Sequence, residues 1–365
     1  MSFSCELKIS ALRVRALQVP MRLPLQTSSG TIQTAPLALL DLQTDGGFTG
    51  CSYLFCYTPL ALEPVCDLLQ NLEPILRGLP IAPLEVSHLL RSRFRLLGTK
   101  GIVGMALAGI DMAVWDVLAR AAGQPLACVL GGDLREIQAY NSCGLGLVGP
   151  DRAPAEAEAL LTHGFSAIKV RLGYPELETD LRVVRGIRRA VGDAVELMSD
   201  YNQALSVPEA IRRVRALADE GLYWIEEPCA ADDFDGYSRV RAASVCPIQM
   251  GENWWGPNEM AASLRAGASD LGMPDAMKIG GVTGWLQAAA LAQSAGMPIS
   301  THLFPEVSVH LMSATPTRHW LEYVDWASPI LAQPMTIEGG KARIPESPGT
   351  GIEWDEQAVT RFLVH

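Results

Sequence analysis

Several short runs of this chain alternate apolar and polar positions with the period of a strand, and most of them lie in series between Lys169 and Glu322. Leu-Met-Ser-Asp at 197 to 200, Tyr-Trp-Ile-Glu-Glu-Pro at 223 to 228 and Ile-Gln-Met-Gly-Glu-Asn at 248 to 253 share one design. An apolar run ends in a carboxylate, a turn follows, and helical periodicity begins. Asp200, Glu226 and Glu252 are spaced 26 residues apart, about the length of one strand-plus-helix unit. The series extends back to Ala-Ile-Lys-Val-Arg at 167 to 171. It extends forward to runs ending at Asp275, His302 and Glu322. Between the runs, Leu177, Leu181, Val184 and Ile187 mark one face of a helix, and Ile211, Val214 and Ala218 mark another. Strands alternating with such helices predict right-handed crossovers and a parallel sheet. Six or more units favour an α/β barrel, in which polar strand ends gather at one mouth.

The first 130 residues have a different texture. Leu12 to Val19 and Leu37 to Leu42 read as strands, and Asp45-Gly46-Gly47 as a hairpin turn into Phe48 to Phe55. Helices follow at Leu60 to Leu76, Leu84 to Leu97 and Gly104 to Ala122, an α+β module. The turn-rich Leu130 to Asp133 marks a boundary before a strand at Ile137 to Asn141. This gives an N-terminal α+β domain over 1–132, a barrel over 133–325 and a proline-rich tail over 326–365 that packs back on the first domain. The polar segment Arg22 to Thr34 reads as a surface hairpin loop, the alternative being a flap over the barrel mouth.

Composition narrows the function classes. A net charge of −11 disfavours nucleic acid and anionic membranes, which need a basic footprint. No apolar run approaches the length of a membrane span, and Glu6, Lys8, Arg13 and Arg15 interrupt any signal-peptide core, so the expected location is the cytoplasm. The eight cysteines, at 5, 51, 56, 66, 128, 143, 229 and 246, form no C-x-x-C pair and read as reduced thiols.

Three carboxylates in phase on consecutive strands suit a hard cation such as Mg²⁺, with positions left for water and substrate. Zinc fits less well, because no His or Cys joins them at ligand spacing. Asp275 beside His302 would fix the imidazole tautomer and make His302 a candidate general base. His88, His163, His310, His319 and His365 are out of phase with the ladder and read as structural. Lys169 and Arg171 are two residues apart on one strand, so both point to one face, toward the expected anions.

This constellation resembles the enolase superfamily, mandelate racemase subgroup. Met-Gly-Glu-Asn at 250 to 253, Met-Pro-Asp-Ala-Met-Lys-Ile-Gly-Gly-Val-Thr-Gly-Trp at 273 to 285, and Ala-Thr-Pro-Thr with His-Trp-Leu-Glu at 314 to 322 carry the resemblance, which runs nearly end to end. It implies a modified TIM barrel, (β/α)₇β, with an N-terminal capping domain completed by the C-terminal tail, in a homo-oligomer. It also implies the superfamily's known chemistry, a Lys or His base with Mg²⁺ and an ene-diolate intermediate. Asp200, Glu226 and Glu252 would then hold Mg²⁺, and the ion would bind the carboxylate and α-hydroxyl of a 2-hydroxy acid. Glu322 would be a neutral acid donating a hydrogen bond, Lys169 and Ser142 would contact the substrate carboxylate or its metal-bound oxygen, Lys278 would lie near the Asp275 and His302 pair, and Asn202 would support the cluster.

One position departs from the subgroup. It has Lys-x-Lys where this chain has Lys169-Val170-Arg171, and the second lysine is the base serving one face of the α-carbon. Arginine essentially never gives up its proton in proteins. Either Arg171 is deprotonated in an unusual environment, or Lys169 takes over, or the reaction needs only His302. The first expectation is a racemase or epimerase of a 2-hydroxy acid. The second is an acid-sugar dehydratase using His302 as single acid and base. A barrel that binds without turnover is the third, and a poised base argues against it.

Overall fold

The computed structural model describes residues 7–364; Cys5, Glu6 and His365 lie outside the described residues. The first module is an antiparallel sheet of three strands, β1 (Ile9–Thr27), β2 (Gly30–Thr44) and β3 (Thr49–Phe55), paired in that order. Helices Pro59–Leu76 and Gly101–Ala121 pack on it, and Pro83–Arg93 packs on Gly101–Ala121. The segment expected as a loop at 22–34 is strand almost throughout. β1 and β2 pair as far as Thr27 with Gly30, leaving only Ser28 and Ser29 in the turn. Its mostly polar side chains hid the strand period, which rests on three partly buried apolar residues, Leu23, Leu25 and Ile32, packed against the core.

Helix Gly101–Ala121 corrects a second expectation. Its 21 residues are apolar enough, by length and composition, to cross a membrane. Here it lies against β2, β3 and helix Pro59–Leu76, and most of it is buried. A helix hydrophobic all round is what the centre of a domain requires.

The barrel comprises β4 (Glu136–Asn141), β5 (Ala167–Arg171), β6 (Glu196–Asp200), β7 (Leu222–Glu226), β8 (Ile248–Met250) and β9 (Leu271–Gly272), parallel and hydrogen-bonded in sequence. β10 (Leu321–Tyr323) returns to pair with β4. The expected strand ending at His302 is not a regular strand. Isolated parallel bridges from Ile299 to Gly272 and Arg318, and from His302 to Asp275, close the ring there. Pro298 has no N–H to give to a longer ladder.

Alternation sorts each strand into an outer face and an inner one. Tyr140, Ala167, Met198, Trp224, Met273 and Trp320 form a packed cluster inside the barrel. Two residues beyond Ala167, Met198 and Trp224 stand Lys169, Asp200 and Glu226, so the polar groups sit on an apolar floor.

The tail touches both parts. β11 (Ile337–Glu338) and β12 (Lys341–Arg343) extend the sheet beside β4, while Leu363 bridges to Leu17 of β1. Asp116, fully buried, accepts from Thr350 N (2.6 Å), Thr350 Oγ1 (2.9 Å), Cys51 N (2.8 Å) and Arg120 Nε (2.6 Å). Asp116→Ala should therefore lower the unfolding free energy by about 3 kcal/mol, since it strands buried donors and a guanidinium together. Urea denaturation measures it; a change below about 0.5 kcal/mol, the size of an ordinary surface substitution, would show that this carboxylate does not fasten the tail. The seven described cysteines are free thiols.

Candidate active site and metal centre

β6 and β7 end in register, Asp200 opposite Glu226, and Glu252 follows β8 by two residues. Each of the three offers an oxygen, and these atoms lie within 4.8 Å of one another, all buried. Lys169 Nζ, from β5, is 2.8 Å from Glu226 Oε1, 2.9 Å from Glu322 Oε1 and 3.5 Å from Asp200 Oδ2. Across the mouth, His302 Nδ1 is 2.7 Å from Asp275 Oδ2 and its Nε2 is 3.2 Å from Glu252 Oε2. Asp275 is itself held by the backbone N–H groups of Met277 and Lys278. A cavity of about 860 Å³ opens above these groups, with the hairpin tip, including Thr27, Gly30 and Ile32, forming part of its wall. The segment at 22–34 thus stands over the mouth.

Two family models match this chain. The mandelate racemase / muconate lactonizing enzyme N-terminal domain covers residues 9–131, and the enolase C-terminal domain-like family covers 152–358. The chain belongs to the mandelate racemase / muconate lactonizing enzyme family. Among solved structures, an enolase-superfamily protein from Bradyrhizobium, complexed with magnesium and mandelic acid, is 43% identical, with a TM-score of 0.94 over 98% of this chain and 99% of that one. Another, from alpha proteobacterium BAL199 with bound magnesium, is 42% identical, with a TM-score of 0.96 over 98% of this chain and 100% of that one. The L-talarate/galactarate dehydratase of Salmonella typhimurium is 34% identical over 72% of this chain and 66% of its own length.

The donor set of this enolase-superfamily chain fits Mg²⁺. It offers three oxygens and no sulfur, the choice of a hard cation. Burial pushes Asp200 above the usual carboxylate range and Glu226 up to about 8, and their neighbours' negative charge adds to it. A divalent cation relieves both. Burial works against the charge on Lys169, but Glu226, Glu322 and Asp200 outweigh it and hold the ammonium above its ordinary value. Burial likewise works against imidazolium at His302, yet Glu252, Glu322 and Asp275 raise it to about 9.

Glu322 differs from the implied neutral donor. Its Oε1 faces Lys169 and its Oε2 accepts from Leu303 N at 2.8 Å. Burial favours the protonated form, but Lys169 and His302 prevail and keep it below the usual range, an anion. The run His-Trp-Leu-Glu could not show that an ammonium lies between Glu322 and Glu226.

Arg171 is tied down. Its Nη1 donates to Ser142 O and Gly144 O, and its Nη2 to Ser142 Oγ, each at 2.9 Å. Ser142 is fully buried behind it and does not itself line the cavity. Asn202 Nδ2 donates to Asp200 Oδ2 at 2.9 Å, and Lys278 Nζ donates to Asn253 Oδ1 at 2.6 Å. Leu25, Ile32 and Leu303 line the cavity, while Tyr53 and Val324 do not.

Sequence reasoning missed Glu227, Asn253 and Tyr57. Alternation would send Glu227 away from the cavity, but a φ of 39° turns its side chain back, where Asn253 Nδ2 reaches both carboxylate oxygens at 2.9 Å. The Glu-Glu-Pro turn was the available signal.

Proposed function

We propose that this chain is a Mg²⁺-dependent enzyme that abstracts the proton α to the carboxylate of a 2-hydroxy acid, with His302 as the base. The tie between His302 and Asp275 carries this reading. Asp275 Oδ2 accepts from Nδ1–H, which leaves Nε2 as the basic nitrogen, facing the carboxylate triad. Mg²⁺ on Asp200, Glu226 and Glu252 would supply positive charge for the substrate carboxylate and acidify the neighbouring C–H. Lys169 and Arg171 hold further fixed positive charge on the other side. As α-proton removal moves negative charge onto the carboxylate, Lys169 is placed to stabilise it.

Product identity turns on Arg171. Arginine essentially never acts as a base in proteins, Arg171 spends its donors on Ser142 and Gly144, and Lys169 is held as a cation by three carboxylates. Only His302 is then free to move a proton, which favours dehydration. His302 takes the α-proton, the imidazolium returns it to a β-hydroxyl, the C–O bond breaks, and water leaves an enol that becomes a 2-keto acid. Similarity to the talarate/galactarate dehydratase agrees. Racemisation is the second reading. Leu25, Ile32, Phe55, Leu303 and Trp326 give the cavity an apolar side, and the Bradyrhizobium relative holds mandelic acid, which has no β-hydroxyl to lose.

Proton NMR in D₂O with Mg²⁺, over a library of 2-hydroxy acids and acid sugars, tests both. A 2-keto product that survives Arg171→Met is the expected result. Deuterium in both enantiomers of one substrate, lost in Arg171→Met, would instead make Arg171 a second base.

A further inference from the structure

His302 is followed by two non-glycine residues in the left-handed region, Leu303 with φ 49° and Phe304 with φ 47°. Such residues cost on the order of 1–3 kcal/mol each and persist only where the surroundings over-determine them. What the turn achieves is visible: it swings the Leu303 N–H onto Glu322 Oε2 while His302 faces Glu252 and Asp275. One backbone turn therefore sets two groups of the site relative to each other.

The restraint comes partly from the other domain. Tyr53, on β3, packs its ring on Phe304 with centroids 5.1 Å apart and donates its hydroxyl to Glu306 Oε2 at 2.6 Å. Glu306 lies in the first turn of helix Pro305–Ser313, and Ser308 of that helix donates to Leu303 O at 2.9 Å. Tyr53 and Glu306 are both buried, and neither lines the cavity. Among the described residues, the hydroxyl and the carboxylate find each other across the domain boundary.

We propose that Tyr53 and Glu306 form a positioning pair through which the N-terminal domain holds the strained 303–304 turn, and with it His302 and Glu322, in working geometry. The proposal rests on His302 acting as the base. Tyr53→Phe keeps the ring on Phe304 and removes only the donor. Glu306→Gln keeps an acceptor for the tyrosine, and Glu306→Leu does not.

With the Mg²⁺-loaded full chain, Tyr53→Phe and Glu306→Leu should each lower kcat by about ten- to a hundredfold, the scale of a small misplacement of catalytic groups. KM should move less than about twofold, and Mg²⁺ affinity by calorimetry should be unchanged, because only the poise of the base is altered. Glu306→Gln should restore kcat to near wild type. Variants that lose only melting temperature, with kcat intact, would overturn the proposal. If wild type exchanges no substrate proton at all, the functional reading fails on its own. The ¹⁵N spectrum of the histidine-labelled protein, with His302 assigned by His302→Asn, then decides the pair. A shift of the His302 ring signals in Tyr53→Phe supports it, and unmoved signals refute it.

Discussion

His302→Asn should reduce exchange of the substrate α-proton by about 10²- to 10⁴-fold, the range associated with one positioned acid–base group. Asparagine fills similar space and keeps an amide for Asp275 Oδ2, so the loss reports the missing base. Mg²⁺ binding should survive, since the triad is untouched. The pH profile checks the assignment independently. A base works in its unprotonated form, so kcat/KM should rise with pH and level off above the pKa of His302. Burial alone would place that pKa low, but Glu252, Glu322 and Asp275 raise it to about 9. Mg²⁺ sharing Glu252 weakens one of those pulls, so the limb in the loaded enzyme should fall between the ordinary histidine value and about 9. His310 and His319 cannot produce it, because burial pushes both down to about 4. A rate that falls with rising pH across that interval, or a His302→Asn variant with wild-type exchange, would remove His302 from its role.

Removing Mg²⁺ with EDTA should cost about 10³-fold or more in rate, as several kcal/mol of charge stabilisation is lost. It should also lower the melting temperature. Three buried carboxylates repel one another, and among the described residues Lys169, beside Glu226 and Asp200, and His302, beside Glu252, oppose that only in part. A ligand at about a hundred times its dissociation constant adds roughly 2.7 kcal/mol to folding. Scanning calorimetry with and without Mg²⁺ measures the shift. Glu226→Gln should abolish both the shift and the turnover. Equal melting temperatures with EDTA and with excess Mg²⁺ would mean that the triad holds no such ion.

Much of the site was legible because two periods coincide. Alternation along a strand assigns Lys169, Arg171, Asp200 and Glu226 to the inside of the barrel, and the strand–helix repeat brings Asp200, Glu226, Glu252, Asp275, His302 and Glu322 to one mouth. Positions that break alternation were not legible. Glu227 points into the cavity only because its backbone is left-handed, and Leu303 and Phe304 adopt φ values that nothing in their side chains requires. Helix Gly101–Ala121 could not be told from a membrane span by its residues, since burial in a domain and burial in lipid select the same composition.

By itself the sequence determined the kinds of chemistry available, meaning hard oxygen ligands, a His–Asp pair and fixed cations, and the repeat that gathers them. Only the tertiary structure decided how their charges pair. Lys169 bridges Glu226 and Glu322 and holds Glu322 below the usual carboxylate range, and Arg171 donates to Ser142 and Gly144. The physical reason is range. Side-chain periodicity is a local property of the backbone, whereas ionisation depends on partners within a few ångströms that lie tens or hundreds of residues apart along the chain.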